Sequence, residues 1–207
     1  MTNLQIDFLA DVFGTFHERY PLVDLSLGVS PTGSSGLVED IRHARLDVAF
    51  IGLPPVELPG LRTVPLAHVD YVVVTRESDP LAARKTITLA DIAARRQIDT
   101  PRGFGNRVIL DRAFADAGLT RTVSTELSDL TSIPRFVAAG LGVAIIPAAA
   151  PITVPGVAVR PLAGPSLTWT MTAISSASTP PSPAVEALLE LLATDERDAT
   201  TTIRAHS

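Results

Sequence analysis

Three stretches of this 207-residue sequence gather small polar and charged side chains in patterns suited to holding a ligand. Ser30 and Thr32 stand before the run Gly33-Ser34-Ser35-Gly36. Thr100, Arg102, Asn106 and Arg107 flank a second glycine-bearing loop. Ser128, Asp129 and Thr131 precede a third predicted helix. A helix start exposes unpaired backbone N–H groups at the positive end of its dipole, so such positions favour carboxylates and other anions. Arg102 and Arg107 lean the same way through carboxylate pairing. The same residue types also cap helices where no ligand binds. Capping and binding both remain open for each loop taken singly, because the sequence does not show whether the loops converge.

Covalent and metal chemistry find little support. The four histidines, His17, His43, His68 and His206, form no spaced metal pair. No cysteine is present, which excludes disulfides, a thiol nucleophile and thiolate-bound zinc. Gly33-Ser34-Ser35-Gly36 is not the Gly-x-Ser-x-Gly of a nucleophile elbow. Gly103-Phe104-Gly105 and Gly140-Leu141-Gly142 each lack the third glycine of a dinucleotide loop, and no lysine follows a phosphate-type loop. Lys85 is the only lysine. The expectation is a protein that is no enzyme, with no cofactor, no metal and no catalytic residues.

The elements that would carry these loops alternate. Leu4, Phe8, Leu9, Val12, Phe13 and Phe16 recur at helical spacing up to Pro21. Val23–Val29 alternates apolar and polar and predicts a strand. A short helix over Leu37–Arg45 and a buried strand over Leu46–Ile51 follow, closed by Gly52. Strands are predicted over Leu61–Leu66, Asp70–Thr75, Gln97–Thr100, Thr122–Leu127, Val143–Pro147, Val157–Leu162 and Leu167–Ile174. Helices are predicted from Thr88, over Val108–Ala117 with Gly118 at its end, after Thr131, and over Ala184–Ala193. Pro134 fits only a helix's first turn, so that helix should begin near Asp129–Thr131. The tail from Thr194 reads as polar and fraying. Alternating strands and helices imply an α/β fold with a largely parallel sheet, whose ligands sit at the carboxyl ends of strands.

Hydrophobic residues make up 46% and charged residues 19%, with net charge −5. Such a chain buries a real core. Its acidic balance is wrong for a nucleic-acid surface. The first residues lack the basic stretch of a signal peptide, and the longest apolar run, near Leu141–Pro151, is too short to span a bilayer. A cytoplasmic location is expected, with no membrane contact.

Several motifs, in order, resemble those of LysR-type transcriptional regulators. They are Tyr20-Pro21-Leu22-Val23-Asp24-Leu25-Ser26-Leu27, Leu46-Asp47-Val48-Ala49-Phe50, Ser78-Asp79-Pro80-Leu81-Ala82, Asp91-Ile92, and most specifically Val137-Ala138-Ala139-Gly140-Leu141-Gly142-Val143-Ala144-Ile145-Ile146-Pro147. The resemblance covers residues 4–193. It implies an effector-binding domain with a periplasmic-binding-protein type II-like fold, in which two Rossmann-like α/β lobes are joined by two crossover strands. Lobe I would hold residues 1–67 and 148–207, and lobe II residues 68–147. The crossovers would lie near Leu66–Val69 and Ile146–Pro147, and the family's winged helix-turn-helix would be absent from this chain. The implied function is ligand-controlled transcription, with a small effector in the inter-lobe cleft; a solute-binding protein of a transport system with the same fold is the alternative. Expected ligand contacts are Thr2, Asn3, Ser30, Thr32, Ile51, Gly52, Thr100, Arg102, Asn106, Ser128, Thr131 and Pro147. Expected partners are a small organic effector (a carboxylate or aromatic metabolite), DNA only through the absent domain, and further copies of the chain as homodimer or homotetramer.

Overall fold

The computed structural model describes residues 7–148, 152–164 and 167–204, with side chains described from Phe8 to Thr194 within those ranges. The expected contacts Thr2 and Asn3 lie outside the described residues. The chain forms two compact units. It leaves the first between His68 and Val69 and re-enters it between Trp169 and Thr170.

The first unit begins with α1 (Asp7–Arg19), the helix that the Phe8–Phe16 spacing predicts. Leu9, Val12, Phe13 and Phe16 are buried, and Phe13 meets Phe50 edge-on at 5.7 Å. Helix α2 (Gly33–Arg42) buries Leu37, Val38 and Ile41 beside strand β1 (Ala49–Ile51). β1 pairs antiparallel with β8 (Thr168–Ser176), from Ala49↔Ile174 to Ile51↔Thr172. Helix α6 (Pro183–Arg204) packs on α1 and buries Leu188, Leu189 and Leu192. It continues well past Ala193, where the polar tail was expected to fray.

The expected strand over Val23–Val29 does not form; residues 24–30 run without a ladder. Val23 and Leu25 are half-buried while Leu27 and Val29 are exposed, so only the start of the alternation meets a core. Alternation sets which side chains face inward, but a strand also needs a hydrogen-bonding neighbour.

Helix α2 ends on a left-handed residue that is not glycine. Ala44 has φ +53°, and the Arg45 N–H reaches Asp40 O at 2.8 Å while the Ala44 N–H reaches Ile41 O at 3.1 Å. This is the double bond pattern that normally recruits glycine.

The second unit is built on the latter part of β2 (Leu61–Arg76), a single 16-residue strand where two were expected. Pro65 sits in it at an exposed position, where a missing N–H is tolerated. β2 pairs antiparallel with β6 (Ala144–Pro147) through Tyr71↔Pro147 to Val74↔Ala144, and with β7 (Val157–Ala163) through Val72↔Pro161 to Arg76↔Val157. β7 also pairs parallel with β3 (Ile87–Thr88). These ladders tie residues 157–163 to the second unit, so the return crossing falls at 169/170 where 147/148 was expected. Register over such distances is set by pairing partners that local sequence does not reveal.

Beside them, β4 (Arg96–Asp99) pairs parallel with β5 (Thr122–Glu126), and Gln97 forms a parallel bridge with Val143. Helix α3 (Leu89–Ala93) starts on a full capping box: the Thr88 hydroxyl accepts the Asp91 N–H, and the Asp91 carboxylate accepts the Thr88 N–H. Helix α4 (Gly105–Asp116) ends with Gly118 at φ +67°, and α5 (Ile133–Ala138) ends with Gly140 at φ +87°. Pro134 lies in the first turn of α5, which starts two residues later than expected, after Ser132. Ile87, Ile92, Ile98, Leu110, Phe114, Ile133 and Val137 form the core.

The two glycines of the most specific motif now have separate reasons. Gly140 supplies the left-handed residue after α5: its own N–H bonds Val137 O and the following Leu141 N–H bonds Phe136 O. Gly142 supplies closeness. A Cβ there would stand 2.4 Å from the carbonyl oxygen of Arg96 on β4.

Candidate functional site

In the first unit the end of β1 and the start of α2 come together. Gly33, at φ +68°, turns the chain into α2. This brings the wholly buried Ser34 hydroxyl to accept the Gly52 N–H at 3.2 Å. Gly52 is buried, and the Ile51 side chain is fully enclosed, so any contact from Ile51 to a ligand would run through its main chain. The Ser30 and Thr32 hydroxyls lie 3.0 Å apart, and Thr32 is exposed at the N-cap without capping α2. Gly36 permits this arrangement, since a Cβ at that position would meet Thr32 Oγ1 at 1.8 Å. Thus Ser30, Thr32, Gly52 and the unforeseen Ser34 share one corner. Only Ser34's place in the glycine run hinted at it.

In the second unit the loop after β4 is organised by a residue that sequence reasoning passed over. Asp99 is completely buried. Its Oδ1 accepts the Thr100 N–H at 2.6 Å, the Asn106 Nδ2 at 2.6 Å and the Thr100 hydroxyl at 3.3 Å. Its Oδ2 accepts Arg121 Nη2 at 2.6 Å. Arg121, its side chain 7% exposed, also reaches Asp111 at 3.3 Å and lies over the Phe114 ring. Asp111 takes Arg107 Nε at 2.8 Å, while Arg107 Nη1 donates to Glu126 Oε1 at 2.8 Å and to Thr100 O at 3.3 Å. Burial works against the charged Arg107, but its hydrogen bonds to Glu126 and Asp111 and the charges of Asp111 and Asp99 leave its pKa raised. Tyr71 lies close enough to feel this pair. Burial above all, and then the Asp99 charge, push its phenol well above the usual range, against the pull of Arg121.

Thr100 and Asn106, both expected ligand contacts, are buried, with 0% and 2% exposure, their side chains donating to Asp99 and, from Asn106, also to Ile145 O. Arg102 stands at the tip of the same loop, exposed and in no ion pair among the described residues. Ser128 is exposed after β5. Thr131 is exposed too, its N–H at 3.0 Å and its hydroxyl at 2.8 Å from Asp129 Oδ1. Pro147 is buried at the end of β6 opposite Tyr71. Asp99 and Arg121 were missed because 22 residues separate them, and an aspartate at the end of the short strand Arg96-Gln97-Ile98-Asp99 gives no local sign of its partner.

A surface groove of about 420 Å³, lined by Glu77, Asp79, Ala82, Ala83 and Val157–Arg160, contains none of the expected site residues. Among the described residues no cluster of His, Asp and Glu could hold a metal ion, and no helix is long and apolar enough to cross a membrane.

Two α/β units crossed twice by the chain, with polar loops following their strands, define the periplasmic-binding-protein type II-like class of ligand-binding folds. More particularly, residues 2–196 match the LysR substrate binding domain, and the chain belongs to that family. Among curated proteins it is 31% identical over 145 residues to the uncharacterized HTH-type transcriptional regulator YybE of Bacillus subtilis, covering 70% of this chain and 49% of the relative. It is also 31% identical over 147 residues to the transcriptional dual regulator GltC of the same organism, covering 70% and 48%. The chain thus spans about half the length of these relatives. Among solved structures, the effector-binding domain of QuiR in complex with shikimate superposes with a TM-score of 0.80 at 20% identity, covering 96% of this chain and 94% of that one. The regulatory domain of Synechocystis CcmR in complex with 2-PG superposes with a TM-score of 0.78 at 19% identity, covering 93% of each.

Proposed function

We propose that this chain is the effector-binding part of a LysR-type transcriptional regulator. Its candidate effector-binding loops are Ser30–Ser34 and Gly52 in the first unit and Thr100–Phe104 and Ser128–Ser132 in the second. The family match over nearly the whole chain carries this reading, and the placing of Ser34 against Gly52 and of Arg102 at an exposed loop tip supports it. Ser30, Thr32, Gly52, Arg102, Ser128 and Thr131 contact the effector directly. Ile51 and Pro147 shape the site through the main chain, and Thr100 and Asn106 act from beneath the loop surface. The lone guanidinium of Arg102 favours an anionic effector through charge-assisted hydrogen bonding, in keeping with shikimate, the ligand named for the QuiR structure.

Effector binding shifts the population of conformations or assemblies by its differential affinity for them, and a DNA-binding segment in the whole regulator reads that shift. The protein acts in the cytoplasm as a homodimer or homotetramer and performs no covalent step. The test is a thermal-shift screen of small carboxylates and aromatic acids on the native chain, Arg102→Ala and Ser128→Trp. A hit whose stabilisation survives both substitutions would remove the proposed site. Loss of the response in either variant, with the ligand-free melting temperature unchanged, supports it.

A further inference from the structure

Every polar group of Thr100 is committed, although Asn106 Oδ1 and Arg121 Nε beside it are buried without a hydrogen-bond partner among the described residues. The Thr100 N–H and hydroxyl go to Asp99, its carbonyl goes to Arg107, and Asn106 at the head of α4 ties the same carboxylate to Ile145 O at 3.2 Å. Behind these, Asp99–Arg121–Asp111–Arg107–Glu126 form an unbroken chain of ion pairs linking β4, α4 and β5. Its interior end has no exposure, and its outer end, Glu126, is half-exposed. Fully burying a carboxylate is costly, and a buried ion pair generally adds less stability than an apolar pair of equal volume. Its return is geometric: a partner with fixed directions holds a loop in one shape. Resting on the effector reading above, we propose that Asp99, Arg121 and Arg107 are positioning residues. They preset the backbone of Thr100–Phe104 so that Arg102 is presented to an anionic effector without reordering of the loop on binding. A preordered loop avoids the ordering entropy that a mobile one would lose at each encounter.

The experiment compares amide hydrogen exchange of the native chain with that of the Asp99→Asn/Arg121→Met double variant, which removes both charges and strands neither. Arg107→Met, which releases the Thr100 carbonyl from the outer end, provides an independent second variant. In the absence of any ligand, exchange in the segment 100–106 is expected to quicken by about tenfold in both variants, while β2 and α6 stay near the native rate. In a parallel arm with sodium benzoate and shikimate as probes, whichever probe the native chain binds should bind the variants about tenfold more weakly. Uniform quickening across the whole second unit, or none, would overturn the proposal by making the network simply structural or irrelevant to the loop. Loosening of the loop with undiminished probe binding would overturn it equally. If the native chain binds neither probe, the exchange arm alone decides the positioning claim.

Discussion

Placing an alanine at Gly142 would put a methyl carbon 2.4 Å from the Arg96 carbonyl oxygen and 3.0 Å from its carbon. Both are backbone atoms of β4, so no side chain can swing away to make room. The junction they guard is small and specific: the Val143 N–H donates to Arg96 O at 3.0 Å, and the Ile98 N–H donates to Val143 O at 2.9 Å. Moving the strands apart by the better part of an ångström weakens both bonds. Overpacking of a tight core site costs about 1–3 kcal/mol, and each lost hydrogen bond adds about 0.5–1.5 kcal/mol. Gly142→Ala is therefore expected to destabilise by about 3 kcal/mol, a fall of about 6–12 °C in melting temperature for a chain of this size. Gly118→Ala is the control. Gly118 stands at a helix exit, at φ +67°, but nothing lies within 4 Å of where its Cβ would be, so only the left-handed backbone is penalised, by about 1 kcal/mol. Urea unfolding followed by the fluorescence of Trp169, the only tryptophan and 2% exposed at the end of the second unit, reads both. A Gly142→Ala protein no less stable than Gly118→Ala would refute the close-approach reasoning.

Other substitutions follow from single features. Ala44→Gly, which relieves the one left-handed non-glycine among the described residues, should stabilise the chain by about 1 kcal/mol in the same urea assay. Gly36→Ala forces Thr32 off the turn above α2, so effector-induced stabilisation should fall even where circular dichroism shows the helix content kept. Asp79 responds to pH. Burial alone would raise its pKa, but hydrogen bonds from Arg95 and the Leu81 N–H, with the Arg95 charge, hold it below the usual carboxylate range. Its contribution is present above the unfolded value of about 3.9 and is lost as pH falls through the lower folded value. Asp79→Asn should accordingly flatten the acid limb of a stability–pH curve below about pH 4 and leave its slope near neutrality unchanged.

Features fixed by neighbours in the chain were legible in the sequence. Thr88 starts one short helix, Pro134 lies in the first turn of α5, Gly118 closes α4, and the Phe8–Phe16 spacing forms α1. Long-range pairing was much less legible. The alternation over Val23–Val29 is real on its buried side, yet no ladder forms there. Leu61–Leu66 and Asp70–Thr75 read as two strands, whereas the chain runs through as one because the exposed position of Pro65 lets the proline pass. Residues 157–163 belong with the second unit because β2 and β3 pair with β7, and no local pattern carries that register. At the candidate site the loops were visible as clusters of Ser, Thr, Asn and Arg. The distinction between a side chain that faces solvent, such as Arg102, and one consumed internally, such as Thr100, depended on Asp99 meeting Arg121.

The most direct test of the effector-binding account is amide chemical-shift mapping of the native chain titrated with the strongest hit from a screen of small organic anions. The account predicts saturable shifts concentrated at residues 30–34, 52–53, 100–104 and 128–132. Shifts gathered instead along the groove of Glu77, Ala82 and Arg160, with those four loops silent, would contradict it.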